Sequence, residues 1–512
     1  MNKIVKNTLY LYIRQLFTLF LSLYTSRLTL LVLGVTDFGI FAAIGGVTAF
    51  LAIVTSSLSN STQRFLTFSI GKSDIGLLNK TYISSIEIHL VLSFILLFLA
   101  ETIGLYFFSV KMVIPEDRID IAFWVYQLSI FTSIVSIITA PHSAELVAHE
   151  DMGYFALFMV LESVLKLLSI IFLSVITVDK LLLYSVFVFL LQVLIRGLIV
   201  IFCRRNYQEC RIALCFDKKL CKSMIGLTSW TFVQNLGVMG FIQGTNILLN
   251  MFFGPVVNAA YSISFQAYWG VRNFTSSFQL ASNPQIVKLY SQNNLNEMKL
   301  LVIRVCKFSF YLVFLLSFPI IMNSNVILTI WLKEVPAHTQ YFFVLLLVFS
   351  YIDVMAFPLD VAAQATGNIK KYSIICFCFY LVILLVSYVF FVRGSIPESI
   401  IYIAMVVSFI CILTRVFLLN RIIGLSIGEF LRDALYRPIL TILIICPIVL
   451  FVKYIMGNLS IWSSVVYFIS IFVYGVCIVY LCGLEKDEKV VVRGYISSFL
   501  RKINKIDYTK TK

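Results

Sequence analysis

Charge is what this 512-residue chain has least of: 13% of its residues are Asp, Glu, Lys or Arg, against 60% hydrophobic. No soluble core has use for so much apolar surface, so a soluble globular protein is excluded and a polytopic α-helical membrane protein is implied. The chain also lacks a P-loop, a Gly-rich dinucleotide loop and an HExxH motif. It has no loop long enough to form a soluble catalytic domain. The longest outer loop, about residues 110–118, is too short to hold substrate beside catalytic residues, as a glycan polymerase or ligase would need. An enzyme is therefore not expected. No small-x-small cleavage site follows the first apolar run, so Lys3 and Lys6 introduce an uncleaved first span. The eleven cysteines fall in spans or in segments assigned below as cytoplasmic, which argues against disulfides. Cys203, Cys210, Cys215 and Cys221 cluster, but their spacings of seven, five and six fit no common zinc pattern. They read as free thiols.

What the chain does have is apolar runs. Fourteen approach the ~20 residues that cross a bilayer: 9–33, 37–58, 82–109, 119–141, 155–178, 180–202, 226–252, 256–282, 303–331, 340–362, 372–392, 397–419, 435–456 and 461–482. Alternate connections are very short or are long and basic. The N-terminus, the loops on its side and the tail hold 28 Lys and Arg. The opposite loops hold 6: Lys111, Arg118, Lys180, Lys333, Arg393 and Lys453. That excess marks the first set as cytoplasmic, with both termini inside. Orientation explains most of the net charge of +15, so nucleic acid is not implied. The basic tail is expected near anionic headgroups.

An internal repeat organises these spans. At a shift of 220, Gly34 falls on Gly254, Phe41 on Tyr261, Ser56 on Ser276, Ser57 on Ser277, Thr62 on Ser282 and Gln63 on Asn283. At a shift of 217, Pro141 falls on Pro358 and Ala148 on Ala365. The shift equals six spans, so spans 1–6 and 7–12 form two parallel-topology six-helix bundles, as in secondary transporters. The expected organisation is a first half over 1–205, a basic cytoplasmic linker over 206–225, a second half over 226–430, two extra helices over 431–484 and a basic cytoplasmic tail over 485–512.

Equivalent helices of the repeat carry equivalent polar stripes. Arg272, Ser276, Gln279 and Asn283 share one helical face, and span 2 matches it with Ser56, Ser59 and Gln63, with Arg64 beside them. The serines and amides either line a path or bond helices together. Arg272 is costly near mid-span and so is a functional candidate. Arg27 is read as a lumen residue, Arg196 and Arg415 as snorkelling from the inner ends, and Arg14 as either snorkelling or facing the lumen. Glu162 and Lys166 form an i, i+4 pair that is either structural or ion-coupling. Asp353, Asp360 and Gln364 share a face around Pro358. Asp353 either takes a proton or sodium ion, or pairs with a lumen arginine. His142, Glu145, His149, Glu150 and Asp151 cluster in one turn, read as a gate rather than a metal or acid–base site. Arginines in excess facing a cavity point to an anionic substrate, since guanidinium forks suit phosphate oxygens.

The stretch 7-NTLYLYIRQLFTLFLSLYTSRLTLLVLGVTDFGIF-41 resembles the start of the bacterial polysaccharide-repeat, O-antigen (Wzx-type) flippases of the multidrug/oligosaccharidyl-lipid/polysaccharide (MOP) exporter superfamily. The stretches 62-TQRFLTFSIGKSD-74, 140-APHSAELVAHEDMGYFA-156 and 364-QATGNIKKY-372 are similar to that family's cytoplasmic turns, and the resemblance spans about the first 420 residues. It departs at 145-EL-146, where small or apolar residues are expected. The resemblance implies a MATE-like fold with a cationic central cavity between two bundles. It implies a polyprenyl-diphosphate-linked oligosaccharide, flipped to the periplasmic leaflet of the inner membrane by alternating access, coupled to a proton or sodium gradient and using no cofactor. By that similarity Arg27 and Arg272 would hold the diphosphate. Ser56, Gln63, Gln279 and Asn283 would meet sugar hydroxyls, with Arg64 and Ser276 beside them. Asp353, Asp360 and Glu162 remain the ion-coupling candidates. Spans 13 and 14 would form a groove for the lipid tail, and membrane lipids, a polysaccharide polymerase and chain-length proteins are the implied partners. The alternative is an ion-coupled small-molecule antiporter on the same fold, which would want acidic cavity residues.

Overall fold

The computed structural model describes residues 2–111, 114–176, 178–210, 217–332, 335–456 and 461–490. Residues 211–216 of the expected linker and 491–512 of the expected tail lie outside the described residues. Its major helices are α1 (Asn2–Gly71), α2 (Ile75–Leu99), α3 (Leu105–Lys111), α4 (Ile119–Ala148), α5 (Met152–Ser174) and α6 (Lys180–Asn206). Then follow α7 (Lys218–Ser291), α8 (Leu295–Met322), α9 (Ser324–Leu332), α10 (Thr339–Asp353), α11 (Ala356–Thr366), α12 (Lys370–Val392) and α13 (Ser399–Ile423). The short α14 (Ile427–Phe430), α15 (Arg437–Met456) and α16 (Ile461–Ile478) close the described chain. The fold is all-α, as expected.

Among the described residues, 12 helices are long and apolar enough to cross a membrane. The expected spans 37–58 and 256–282 lie outside those 12; both are helical, as the second parts of α1 and α7, and they carry the polar stripes. Each joins its first part at a glycine with φ 81°, Gly34 (ψ 171°) and Gly254 (ψ −179°). That backbone region is essentially closed to residues with a Cβ. Space does not demand glycine here, since nothing lies within 4 Å of where a Cβ would stand at either position. Conformation alone does.

The repeat extends well beyond the identities. After α1, Ser73 (φ 55°) reverses the chain; after α7, Asn293 (φ 59°) does so, 220 positions on. The hydrogen bonds of the two turns match one for one: Ser73 N–H donates to Ile70 O and Asn293 N–H to Tyr290 O, both at 3.0 Å. After α4, Glu150 takes φ 62°, and Gly367, 217 positions on, takes φ 77°. Opposite these turns, Arg118 pairs with Asp179, the N-cap of α6, and with Asp37 at 3.3 Å. The later counterpart is His338, whose Nδ1 lies 2.6 Å from Glu398 at the N-cap of α13. In each repeat a basic side chain at the start of the fourth span, arginine in one and histidine in the other, holds an acid at the start of the sixth. Different residues do the same work, which is why few identities survive.

The chain divides into two compact units. Unit 1 comprises 1–245, 276–302 and 357–388; unit 2 comprises 246–275, 303–356 and 389–512. Unit 1 thus joins the first repeat to the basic-loop ends of several second-repeat helices. Arg64 is buried there, donating to the carbonyls of Gln364 (3.0 Å) and Ala365 (2.5 Å). Asn235 donates to Ser57 at 2.7 Å, and Lys288 lies 2.6 Å from Glu150. A Cβ at Gly71 would stand 1.8 Å from Ser291 Oγ, so only glycine permits α1 and α7 to approach this closely at their ends. Unit 2 packs around stacked Phe314 and Phe318, with centroids 5.0 Å apart. It buries Lys307 against Glu488 at 2.7 Å, just after α16. The described start of the expected basic tail is therefore held by its acidic residues.

Candidate functional site

The second part of α1 is polar toward its far end, and within unit 1 those polar residues have a cavity to face. Ser56, Ser59, Asn60 and Gln63 stand at i, i+3, i+4 and i+7, on one side of the helix. They line one wall of a cavity of about 420 Å³. α4 lines another part with Ser133, Ser136 and Ser143, and α6 contributes Arg196. Ser133 donates its hydroxyl back to Ser129 O (2.9 Å), which leaves its oxygen free to accept from the cavity. No Asp or Glu is among the lining residues.

Arg196 is the residue that reading the sequence missed. It does not snorkel. Its Nη1 donates to Ser143 Oγ at 3.1 Å, and its Nε is buried with no hydrogen-bond partner. Glu162 is its electrostatic neighbour, with one carboxylate oxygen also buried and unpartnered. No ion pair joins Glu162 to Lys166; Lys166 is exposed, and Glu162 sits near Arg196 instead. The signal was depth: Arg196 lies ten residues before the end of α6, about 15 Å of helix, farther than its side chain reaches.

In unit 2, Arg272 Nε lies 3.0 Å from Asp353 Oδ2, and Tyr268 donates to the same oxygen at 2.7 Å. Of the two readings open for Asp353, pairing with an arginine is the one observed. The pair sits at a helix break, where Val354 and Met355 separate α10 from α11. Pro358 has no N–H to bond the carbonyl four residues back, so the helix opens there. Beside the break, Ala356 O accepts from Arg415 (3.2 Å) and Met355 O from the Cys306 thiol (3.6 Å). Arg415 is 2% exposed, so it too is not snorkelling.

The other candidates fall in several places. Ser56 and Gln63 line the cavity, whereas Arg64 is committed to the backbone of α11. Gln279 and Asn283 are buried and Ser276 is half-buried, and none of them lines this cavity. Arg27 is exposed. Asp360 accepts from Tyr372 at 2.7 Å.

No known sequence family and no curated protein matches the chain. Solved structures do match. One is an outward-facing multidrug resistance MATE family transporter of the MOP superfamily: TM-score 0.73, 14% identity, covering 84% of this chain and 96% of that one. Another is a MATE protein in a straight conformation: TM-score 0.72, 15% identity, with 84% and 96% covered. A third is a MOP superfamily transporter from Pyrococcus furiosus, whose binding pocket is described as of reverse polarity, suggesting a different function: TM-score 0.70, 14% identity, with 83% and 96% covered. At such identity the likeness is one of fold, and the fold of this chain is that of the MATE transporters of the MOP superfamily.

Proposed function

We propose that this protein is a membrane transporter that flips a polyprenyl-diphosphate-linked oligosaccharide from the basic-loop leaflet to the opposite one by alternating access. The observation that carries this reading is the cavity of unit 1: many hydroxyls and amides, one arginine and no carboxylate. Sugar rings need donors and acceptors close together, and hydroxyls supply both. A phosphate needs a fixed cationic fork, and the Arg196 guanidinium that lines the cavity is one.

Arg272 and Asp353 supply the coupling in this reading. While they are paired, the arginine is neutralised. A diphosphate that takes the guanidinium leaves Asp353 with only the Tyr268 hydroxyl, and the carboxylate then binds a proton or sodium ion. Arg27 is the remaining candidate for the diphosphate. The setting is a bacterial inner membrane with both termini cytoplasmic, where a polymerase and chain-length proteins would receive the product.

A second reading, ion-coupled antiport of a small molecule, fits the fold equally well, and Asp353 favours it. The test is a vesicle assay. Protein reconstituted in liposomes carries a fluorescent polyprenyl diphosphate oligosaccharide to the leaflet an external quencher reaches. Protein-dependent equilibration, lost in Arg196→Ala, supports flipping. No equilibration with either ion gradient imposed, together with gradient-driven release of a cationic dye, would turn the assignment to antiport.

A further inference from the structure

The turn between α4 and α5 carries a group that the transport cavity does not use. Glu145 and His149 stand one helical turn apart, so both face the same way. Glu209 reaches them from the short 3-10 turn Gln208–Cys210 that follows α6. His149 Nε2 lies 2.6 Å from Glu209 Oε1 and 3.2 Å from Glu145 Oε1. Glu145 is fully buried, and its second oxygen, Oε2, has no hydrogen-bond partner. Two buried carboxylates facing one imidazole are stable only if a shared proton or a bound cation offsets their charge.

We propose that Glu145, His149 and Glu209 form a binding site for a divalent transition cation of the zinc type. One potential ligand atom from each residue falls within 4.8 Å of the others. Zinc binds imidazole nitrogen and carboxylate oxygen at about 2.0–2.2 Å, which sets neighbouring ligands of a tetrahedron roughly 3.4 Å apart. The Glu145–His149 distance already suits this, and the Glu209 carboxylate has to open by under ~1 Å. Glu145 Oε2 or water would complete the shell. One nitrogen and two carboxylates are the ligand types such ions take.

The surroundings hold the imidazole in place. The Tyr207 ring stacks on His149, with centroids 4.3 Å apart and planes 7° from parallel. The Tyr207 hydroxyl donates to Asp151 at 2.5 Å, fixing that ring in turn. Such supporting contacts orient metal ligands. His149 retains 25% side-chain exposure, which gives an ion a way in. The site also has a mechanical consequence. The next residue, Glu150, holds Lys288 (2.6 Å) and Gln285 (2.7 Å) on α7, so a bound ion would stiffen the turn from which that grip is made.

The test uses the full-length, tag-free protein in detergent, stripped with chelator and titrated with Zn²⁺ and then Co²⁺. The expected result is one tightly bound equivalent, and cobalt ligand-field bands without a thiolate charge-transfer band. Glu209→Gln and His149→Asn should lose more affinity than the about 10–100-fold that removing a supporting contact costs. Tyr207→Phe should weaken binding about tenfold. A wild-type protein that takes up no stoichiometric ion overturns the proposal, whether or not the variants fold. A thiolate band would move the ion to Cys203 or Cys210 and overturn it as well. Weak multiple binding, indifferent to the substitutions, would leave only adventitious metal and a protonated His149.

Discussion

Arg196 and Arg415 stand 219 positions apart, in the sixth helix of each repeat, and they do opposite things. Arg415 is buried and spent on its neighbours, bonding Ala356 O beside the helix break and Cys411 Sγ. Arg196 has no broken helix to serve, because α4 runs unbroken through Pro141. It faces serines, and its Nε has no partner. The same residue at the same place is used for structure in one repeat and kept in reserve in the other. A repeat therefore conserves position before role, and role follows from what the neighbouring helix leaves unsatisfied.

Substitutions can break that contrast. Arg196→Ala should reduce flipping at least about tenfold, as expected when one charge-assisted contact to a substrate is lost, with membrane abundance unchanged by immunoblot. Arg415→Ala should do the reverse. It removes the hydrogen bonds of a buried guanidinium to Ala356 O and Cys411 Sγ, at a cost of about 1–3 kcal/mol, so thermal unfolding and abundance fall while activity per folded molecule holds. Equal effects of the two substitutions on abundance would erase the distinction. Next come the hinges. Gly34→Ala and Gly254→Ala should each destabilise by about 1–3 kcal/mol from backbone conformation alone, read as equal shifts in melting temperature; unequal shifts would mean that the two hinges are not equivalent. Asp353→Asn should abolish dependence on an ion gradient while leaving gradient-free equilibration within about threefold, if the pair couples rather than binds. Smallest of all, Ser136→Ala should weaken substrate binding by about 0.5–1.5 kcal/mol, one neutral hydrogen bond.

Much of this architecture could be read from the residues. The shift of 220 paired Gly34 with Gly254 before any backbone was seen, because glycine at φ 81° is a conformational requirement that survives sequence drift. The polar face of span 2 was legible for the same reason: helical period places Ser56, Ser59 and Gln63 together. The partners were not. Arg196 meets Ser143 across 53 residues, and Arg272 meets Asp353 across 81. No local pattern encodes which helix lies opposite. Arg64, next to Gln63, reads as standing beside that stripe and sharing its substrate. One position of helix rotates a side chain by about 100°, enough to turn Arg64 from the cavity to the carbonyls of α11.

The most direct measurement is binding itself. Purified protein would be titrated with a polyprenyl diphosphate oligosaccharide and with the same molecule lacking its phosphates, for the wild type and for Arg196→Ala. An affinity that falls at least about tenfold on removing either the phosphates or the arginine, with no further loss when both are removed, is the predicted result. Equal affinity in all four combinations would contradict a phosphate held by Arg196, and with it the reading of this cavity as the substrate site.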